Sequence, residues 1–343
     1  ASALWSDDPA ASLPQGMMYV IFALLYFVIV NSFITQSWIQ KGIVTLLCSV
    51  VLVSLSGVIQ FLLGTAAVDS AWVDASLFGD LATRVYATLD NPNILAEYLI
   101  LVLPFFVAAL LSVRRVYQKA ILLAGALVVS ICLLLTASRG AWLGVLVALA
   151  LFFLFYSKNI VKILFCGLIA VPVAEIVMPG SIINRFLSMA NFADTSILHR
   201  FTVWGGTWNM ICDNLILGVG VGSNMFAGNY PRYALTGATA VAHCHNVYLQ
   251  ILAELGLFGF IAFMVLLVTF LRTAFSAEAK IGNRQARALI LAGACALIGL
   301  LVMGFADYVF YDCRIFINFW MILGLMVTTC RVFLKKERTV ART

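Results

Sequence analysis

The chain has three histidines, His199, His243 and His245, and all of them fall in one stretch between long apolar runs. A neutral imidazole is the side chain best suited to take up a proton near pH 7. His245, in His243-Cys244-His245-Asn246-Val247-Tyr248-Leu249-Gln250, is therefore the candidate general base; the alternative is a polar residue that caps or anchors a helix. A metal reading of His243-Cys244-His245 is weaker, because three consecutive residues cannot easily aim three ligands at one ion. Two arginines offer the complementary chemistry. Arg139 stands in Thr136-Ala137-Ser138-Arg139-Gly140-Ala141-Trp142 with almost no loop around it. There its guanidinium, with the free N–H groups of a helix beginning at that point, can hold an anion such as a pyrophosphate. An interfacial arginine snorkelling to water fits the same spacing. Arg200 neighbours an apolar stripe without belonging to it, so helical geometry turns it toward polar surroundings, either a cavity or open water.

Other polar residues are placed less tellingly. Gln250 and Glu254 share a helix face, and nine residues put Glu254 about 180° from His245 at 100° per residue, so the two need not belong to one site. Glu254 lies in an apolar run and must find a partner; a structural role between helices is favoured over catalysis. Gly218-Val219-Gly220-Val221-Gly222 has the glycines of a nucleotide loop but neither the preceding strand nor the βαβ setting, and reads as a flexible turn. Asp307 and Asp312 flank an outward turn near Arg314 and can pair with it or with a substrate-binding arginine.

The elements that must position these groups are membrane helices. The 343 residues are 63% hydrophobic and 10% charged, against about 45–50% apolar and about 25% charged in a soluble domain. Nine runs approach the roughly 18–20 residues that cross a bilayer: 17–35, 43–64, 93–113, 119–137, 140–157, 161–178, 245–271, 288–306 and 315–334. The fold class is all-α, a polytopic helix bundle forming a single domain, with one large outward loop at 179–243. That loop, about 65 residues, is too long for a simple connection. Two helices are expected in it. Residues 181–189 read as an interfacial helix. Ile197, Phe201, Trp204, Trp208 and Ile211 form an amphipathic stripe along the membrane surface.

Charge gives the orientation. Of the 21 Lys and Arg, only Arg84, Arg139, Arg185, Arg200, Arg232 and Arg314 face outward, while every lysine falls on the side rich in positive charge, the cytoplasmic one. An outward phosphate site would favour this split, because guanidinium grips phosphate with two parallel hydrogen bonds and ammonium cannot. The net charge of +6 thus reflects topology, and no nucleic-acid partner is indicated. Eight cysteines, mostly inside apolar runs and without paired spacing, indicate neither a zinc site nor a disulfide framework.

Taken together, Thr136 to Trp142, then His199-Arg200-Phe201-Thr202-Val203-Trp204 with Leu217 to Gly222, then His245 to Gln250 with Glu254, Gly256 and Gly259, resemble the O-antigen ligase and polymerase superfamily. Ala3 to Ala10 and Asn91-Pro92-Asn93-Ile94-Leu95-Ala96 resemble recurrent segments of the same family. The resemblance implies a twelve-helix, GT-C-like membrane glycosyltransferase, so that three spans would precede this chain. It implies transfer of a glycan from undecaprenyl pyrophosphate to an acceptor hydroxyl on the outer side of the bacterial cytoplasmic membrane, as in assembly of lipopolysaccharide or another cell-surface polysaccharide. His245, Arg200 and Arg139 are then the expected catalytic residues. Arg139, Arg200, Trp204, Asn246 and Arg232 are the expected substrate contacts, the setting of Arg232 (Tyr230-Pro231-Arg232-Tyr233) being undiagnostic.

The implied chemistry is inverting and needs no metal ion and no cofactor: arginines face the charge developing on the pyrophosphate, and His245 takes the acceptor proton. The implied partners are the lipid-linked glycan donor, a lipid or glycan acceptor, and membrane lipids in apolar grooves. Polymerisation of repeat units is the alternative within the class. Anion or solute transport is the alternative outside it, but transport predicts polar residues along a path through both leaflets, and here they cluster on one side.

Overall fold

The protein is described here from a computed structural model in which residues 2–66, 84–157, 195–238 and 240–340 are described. All regular structure among them is helical. Two short elements, α1 (Ser2–Trp5) and α8 (Ser223–Asn229), accompany α2 (Pro9–Ser32), α3 (Gln36–Leu62), α4 (Pro92–Ser112), α5 (Val116–Leu135) and α6 (Arg139–Ser157). The outward loop contributes α7 (Thr195–Asp213), and α9 (Val247–Glu278), α10 (Arg284–Met303) and α11 (Cys313–Val340) complete the chain. Eight of these helices are long and apolar enough to cross a membrane. They coincide with eight of the nine expected spans; the ninth, 161–178, and the interfacial stretch 181–189 lie outside the described residues.

The helix starts follow from short polar side chains at the water boundary. Asp8, Thr35, Asn91, Asn246 and Asn283 each accept a hydrogen bond from a backbone N–H in the first turn of α2, α3, α4, α9 and α10. Pro92 follows Asn91 at the first helical position of α4, where its missing N–H costs nothing.

Burial divides the bundle. In α4 and α10 78% of the spanning window is buried, whereas in α2 11% and in α5 and α6 22% of it is. α10 packs mainly on α6 and α4. Small residues permit this: a Cβ on Gly144 would stand 2.5 Å from the Gly299 carbonyl oxygen, and one on Gly299 would stand 2.7 Å from that of Gly144, so the two backbones nearly touch.

α9 is broken. Gly256 has φ 66 and ψ −172, a conformation essentially restricted to glycine. The helical hydrogen bonds lost there are replaced by the preceding loop: Val219 N–H donates to Ala253 O, Gly220 N–H to Glu254 O and Leu257 N–H to Leu215 O. In an apolar medium every backbone group must be satisfied, so an interruption needs such a companion segment. The Gly218 to Gly222 stretch, expected as a flexible turn, is thus a hydrogen-bonded wedge held against α9. The Glu254 carboxylate completes it by accepting from Gly222 N at 2.9 Å and from Gln250 Nε2 at 2.7 Å.

α7 corrects another expectation in part. Of the apolar stripe, Phe201 is 47% and Trp208 54% exposed, and only Ile211 is fully buried. The packed face is instead Val203, Thr207 and Met210, all buried, with half-buried Arg200 at its head. Phe201 and Trp208 thus face out while Ile197 and Trp204 are half-buried, and Arg200 lies on the side of the core-facing residues.

Replacing Gly256 by Ala forces a Cβ to within 2.3 Å of the Ile216 carbonyl oxygen. The backbone conformation alone costs about 1–3 kcal/mol. Gly256→Ala should therefore lower the thermal unfolding midpoint of the detergent-solubilised protein, followed by tryptophan fluorescence. Gly228→Ala, in α8, whose Cβ would meet nothing within 4 Å, should leave that midpoint in place.

Candidate active site

His245 does not open α9, as the sequence suggested. It lies two residues before the helix, in left-handed backbone with φ 52, and Asn246 is the N-cap. A non-glycine residue in this region carries strain that the surroundings must hold in place. Cys244 supplies the grip. Its N–H donates to Gln250 Oε1 at 2.8 Å, its carbonyl accepts from Trp204 Nε1 at 2.9 Å, and its thiol donates to Asn246 O at 3.1 Å. Gln250 is itself fixed by Glu254. The two residues that looked remote from His245 by helical angle therefore support the turn that carries it.

With the turn fixed, the His245 ring meets Asp307, 62 residues downstream, with Nδ1 3.3 Å from Oδ1. Asp307 is buried and has two further donors, Tyr308 N at 2.8 Å and Asn93 Nδ2 at 2.9 Å. Asn93 Oδ1 accepts from Arg84 Nη2 at 2.8 Å, and Arg84 Nε donates to Thr136 O at 2.7 Å. Arg84 is only 6% exposed. A network thus runs from the Thr136 turn through Arg84, Asn93 and Asp307 to His245, joining the neighbouring ends of α4, α5, α9 and α10.

Burial alone would raise the Asp307 carboxyl, but the His245 hydrogen bond and the charges of His245, His243 and Arg200 hold it well below the usual carboxylate range. An ionised acceptor facing Nδ1 places the ring proton there and leaves the Nε2 lone pair available. Asp307 thus orients the imidazole as the carboxylate of a catalytic triad does. His245 remains partly open to water, its side chain 29% exposed.

His243 and His199 are neighbours of this group. Burial first and then the charge of His245 push His243 down to about 4, with Asp307 opposing them and Arg200 adding the smallest push downward. Its Nδ1 accepts the His245 backbone N–H at 3.3 Å, and its ring lies 4.2 Å from that of His245 and 4.7 Å from that of Tyr311. His199 is lowered by burial, then by His245 and Arg200. Arg200 therefore acts electrostatically on His199, His243 and Asp307 together.

Arg139 approaches from the other side. It opens α6, and a Cβ on the adjacent Gly140 would touch Met303 and Ala306 at 3.6 Å. The His245 segment reaches the same turn through Val247 N to Gly304 O at 2.8 Å and Asn246 Nδ2 to Phe305 O at 3.1 Å. Arg139 and His245 thus flank the 303–307 turn that presents Asp307.

Three expected substrate contacts stand differently. Trp204 and Asn246 direct polar atoms to backbone, Trp204 to Cys244, and Asn246 to Phe305, Tyr248 and Leu249. Both position the His245 turn. Arg232 lies on an exposed 3₁₀ turn, 3.5 Å from Asp7 and 3.4 Å from Asn229 Oδ1, away from this network. Asp312 pairs with Arg314, whereas Asp307 does not. Arg84, Asn93 and Gln250 were visible in the sequence only as an outward arginine, part of the Asn91 to Ala96 segment and a face-mate of Glu254; Arg84 and Asn93 acquire their roles from partners distant along the chain, and Gln250 from the turn that brings Cys244 back to it.

Comparison with known proteins bears on the same stretch. Residues 123–264 match the O-antigen ligase family, a segment that contains Arg139, Arg200, Trp204, Arg232, His243, His245 and Glu254 but not Arg84, Asn93 or Asp307. The teichuronic acid biosynthesis protein TuaE of Bacillus subtilis (strain 168) is 25% identical over 191 residues, a stretch covering 51% of this chain and 38% of that protein.

The lowered His243 is neutral above about pH 4. In histidine-labelled protein its carbon and nitrogen shifts should stay flat from pH 8 down to pH 5 and move only below that. A midpoint near 6.5, the value of a free imidazole, would contradict the burial described here.

Proposed function

We propose that this chain, which belongs to the O-antigen ligase and polymerase superfamily, transfers a glycan from undecaprenyl pyrophosphate to an acceptor hydroxyl on the outer side of the bacterial cytoplasmic membrane. The observation that carries this reading is the His245–Asp307 pair, set at one end of a helix bundle beside the charge of Arg200.

In this reading the acceptor hydroxyl gives its proton to Nε2 of His245 as its oxygen attacks the anomeric carbon. The bond from that carbon to the pyrophosphate oxygen breaks, and configuration inverts in a single displacement. Asp307 holds the imidazole tautomer and stabilises the imidazolium that forms. Arg200 and Arg139 face the negative charge developing on the pyrophosphate, where fixed guanidinium groups act in place of a mobile counter-ion. Arg84 plays a different part: buried and bonded to Thr136 O and Asn93, it supports Asp307 and touches no substrate.

The second reading is polymerisation, in which the acceptor hydroxyl belongs to another lipid-linked glycan. The similarity to a protein named for teichuronic acid biosynthesis favours keeping it. The proton transfer and the leaving group are the same in both, so the product decides: a ladder of lengthening lipid-linked glycans in a reconstituted assay denotes a polymerase, and a single transfer to a different acceptor denotes a ligase.

Arg139→Ala, Arg200→Ala and His245→Ala should each abolish transfer by the purified protein in lipid while a cooperative unfolding transition shows that each variant is still folded. Asp307→Asn, which keeps the shape but removes the fixed acceptor at Nδ1, should lower the turnover rate by about 10²–10⁴-fold, the range of a positioned acid–base group. Full activity in His245→Ala would remove the general-base assignment.

A further inference from the structure

His243, His245 and Asp307 each offer a metal-ligating atom, and these atoms all lie within 4.8 Å of one another. The sequence argued against a metal here because three adjacent residues cannot converge on one ion. The fold removes that objection: Cys244 turns its thiol to the Asn246 carbonyl, and the third ligand arrives instead from the turn after α10. The resulting set is two imidazole nitrogens and one carboxylate oxygen. It suits a divalent transition ion such as Zn²⁺ or Co²⁺, and three protein ligands leave at least one coordination position open.

The spacing fits a tight site. Ligand atoms bound at about 2.0–2.1 Å around a tetrahedral ion lie roughly 3.3 Å apart, and His245 Nδ1 and Asp307 Oδ1 already have that separation. Rotation of half-buried His243 closes the rest. The surroundings complete the arrangement, since Asp307 keeps Asn93 on its other oxygen, and Arg84 holds Asn93 in turn. Such outer partners orient a ligating carboxylate. The charge of Arg200 opposes a cation here, which sets the affinity below that of a structural zinc site.

We propose that His243, His245 and Asp307 form an inhibitory site for a divalent transition-metal ion, whose binding switches off glycan transfer. The inhibitory sign follows from the imidazole itself and rests on the role assigned to His245 above. If the metal takes Nδ1, the ring proton must sit on Nε2, and if it takes Nε2, the lone pair is occupied. In either case His245 cannot accept the acceptor proton.

The test uses the full chain in lipid nanodiscs with Zn²⁺ and Co²⁺ as probes and Mg²⁺ as the control. One equivalent of Zn²⁺ should bind to the parent and be lost in both His243→Ala and the near-isosteric Asp307→Asn, each checked for an unchanged oligomeric profile and a cooperative unfolding transition. This difference excludes binding at exposed Cys48, Cys212 and Cys313, which all variants share. Asn93→Ala, which removes only the outer partner, should weaken Zn²⁺ by about 10–100-fold. Co²⁺ should give the visible absorption of a low-symmetry nitrogen and oxygen site. Transfer should fall as the site fills and return on adding EDTA, with Mg²⁺ having no effect. Equal Zn²⁺ binding by the parent and His243→Ala overturns the site. Undiminished transfer by the Zn²⁺-loaded protein overturns the inhibitory role and leaves the transferase reading standing. Zn²⁺ binding by a protein that transfers nothing even in EDTA overturns the transferase reading and the inhibitory role together, while the ligand set survives.

Discussion

A carboxylate taken out of water must be surrounded by donors or give up its charge. Asp307 is surrounded: its oxygens receive Asn93 Nδ2, the Tyr308 N–H and the His245 ring, and Arg84, one residue further out, is anchored on the Thr136 carbonyl. These donors belong to segments scattered along the chain. Satisfying one buried charge therefore draws together the neighbouring ends of α4, α5, α9 and α10, and the candidate site is assembled where those ends meet. Removing a single member would leave a buried partner unpaired, which is costlier than removing the whole set. The network accordingly has to be complete to be stable, and completeness is what fixes the imidazole.

A second constraint comes from the surrounding apolar medium. The chain needs non-helical backbone at the mouth of the bundle to project His245 in a left-handed conformation and to break α9 at Gly256. Each departure from helix exposes N–H and C=O groups that lipid cannot satisfy. The Gly218 to Gly222 wedge meets the groups freed at Gly256, and Gln250 meets the N–H of Cys244. Glu254 serves both, bonding Gln250 with one oxygen and Gly222 with the other. One buried carboxylate thus couples the broken helix to the strained histidine. This explains why an acidic residue is placed inside an otherwise apolar run.

The sequence made the membrane helices legible because their signal is local and long: continuous apolar runs set off by capping residues such as Asn91, Asn246 and Asn283. The lysines fall on one set of loops and the histidines on the other, an asymmetry that is equally local. His245 and the arginines stood out by their residue types. What could not be read was pairing across distance. Asp307 was visible as an outward acidic residue, yet nothing in its neighbourhood distinguished a partner of Arg314 from a partner of His245. Arg84 and Asn93 acquire meaning only through the Thr136 carbonyl and Asp307. The periodic stripe on α7 was read correctly as amphipathic, but periodicity does not say which face is buried. Near a bilayer the apolar side can face outward while Arg200 shares the packed side. Trp204 and Asn246 were expected at the substrate through the family resemblance, and their polar atoms bond backbone.

The two residues proposed to carry the chemistry, His245 and Arg200, are held by unequal means. His245 is fixed by helix ends and by a buried network, whereas Arg200 rides on α7, an element of the outward loop. The described link between them is the carbonyl of Cys244, which accepts the Trp204 indole from one helical turn beyond Arg200. Residue 244 is also the point where Gln250 grips the His245 turn. A displacement of α7 that carried Arg200 away would therefore pull on the residue that holds the histidine in its left-handed backbone. Arg200 and His245 are thus joined through the backbone of one residue, Cys244, whose carbonyl holds α7 and whose N–H holds the histidine turn; in the transferase reading proposed above, a pyrophosphate bound at Arg200 would therefore bear on the orientation of the base.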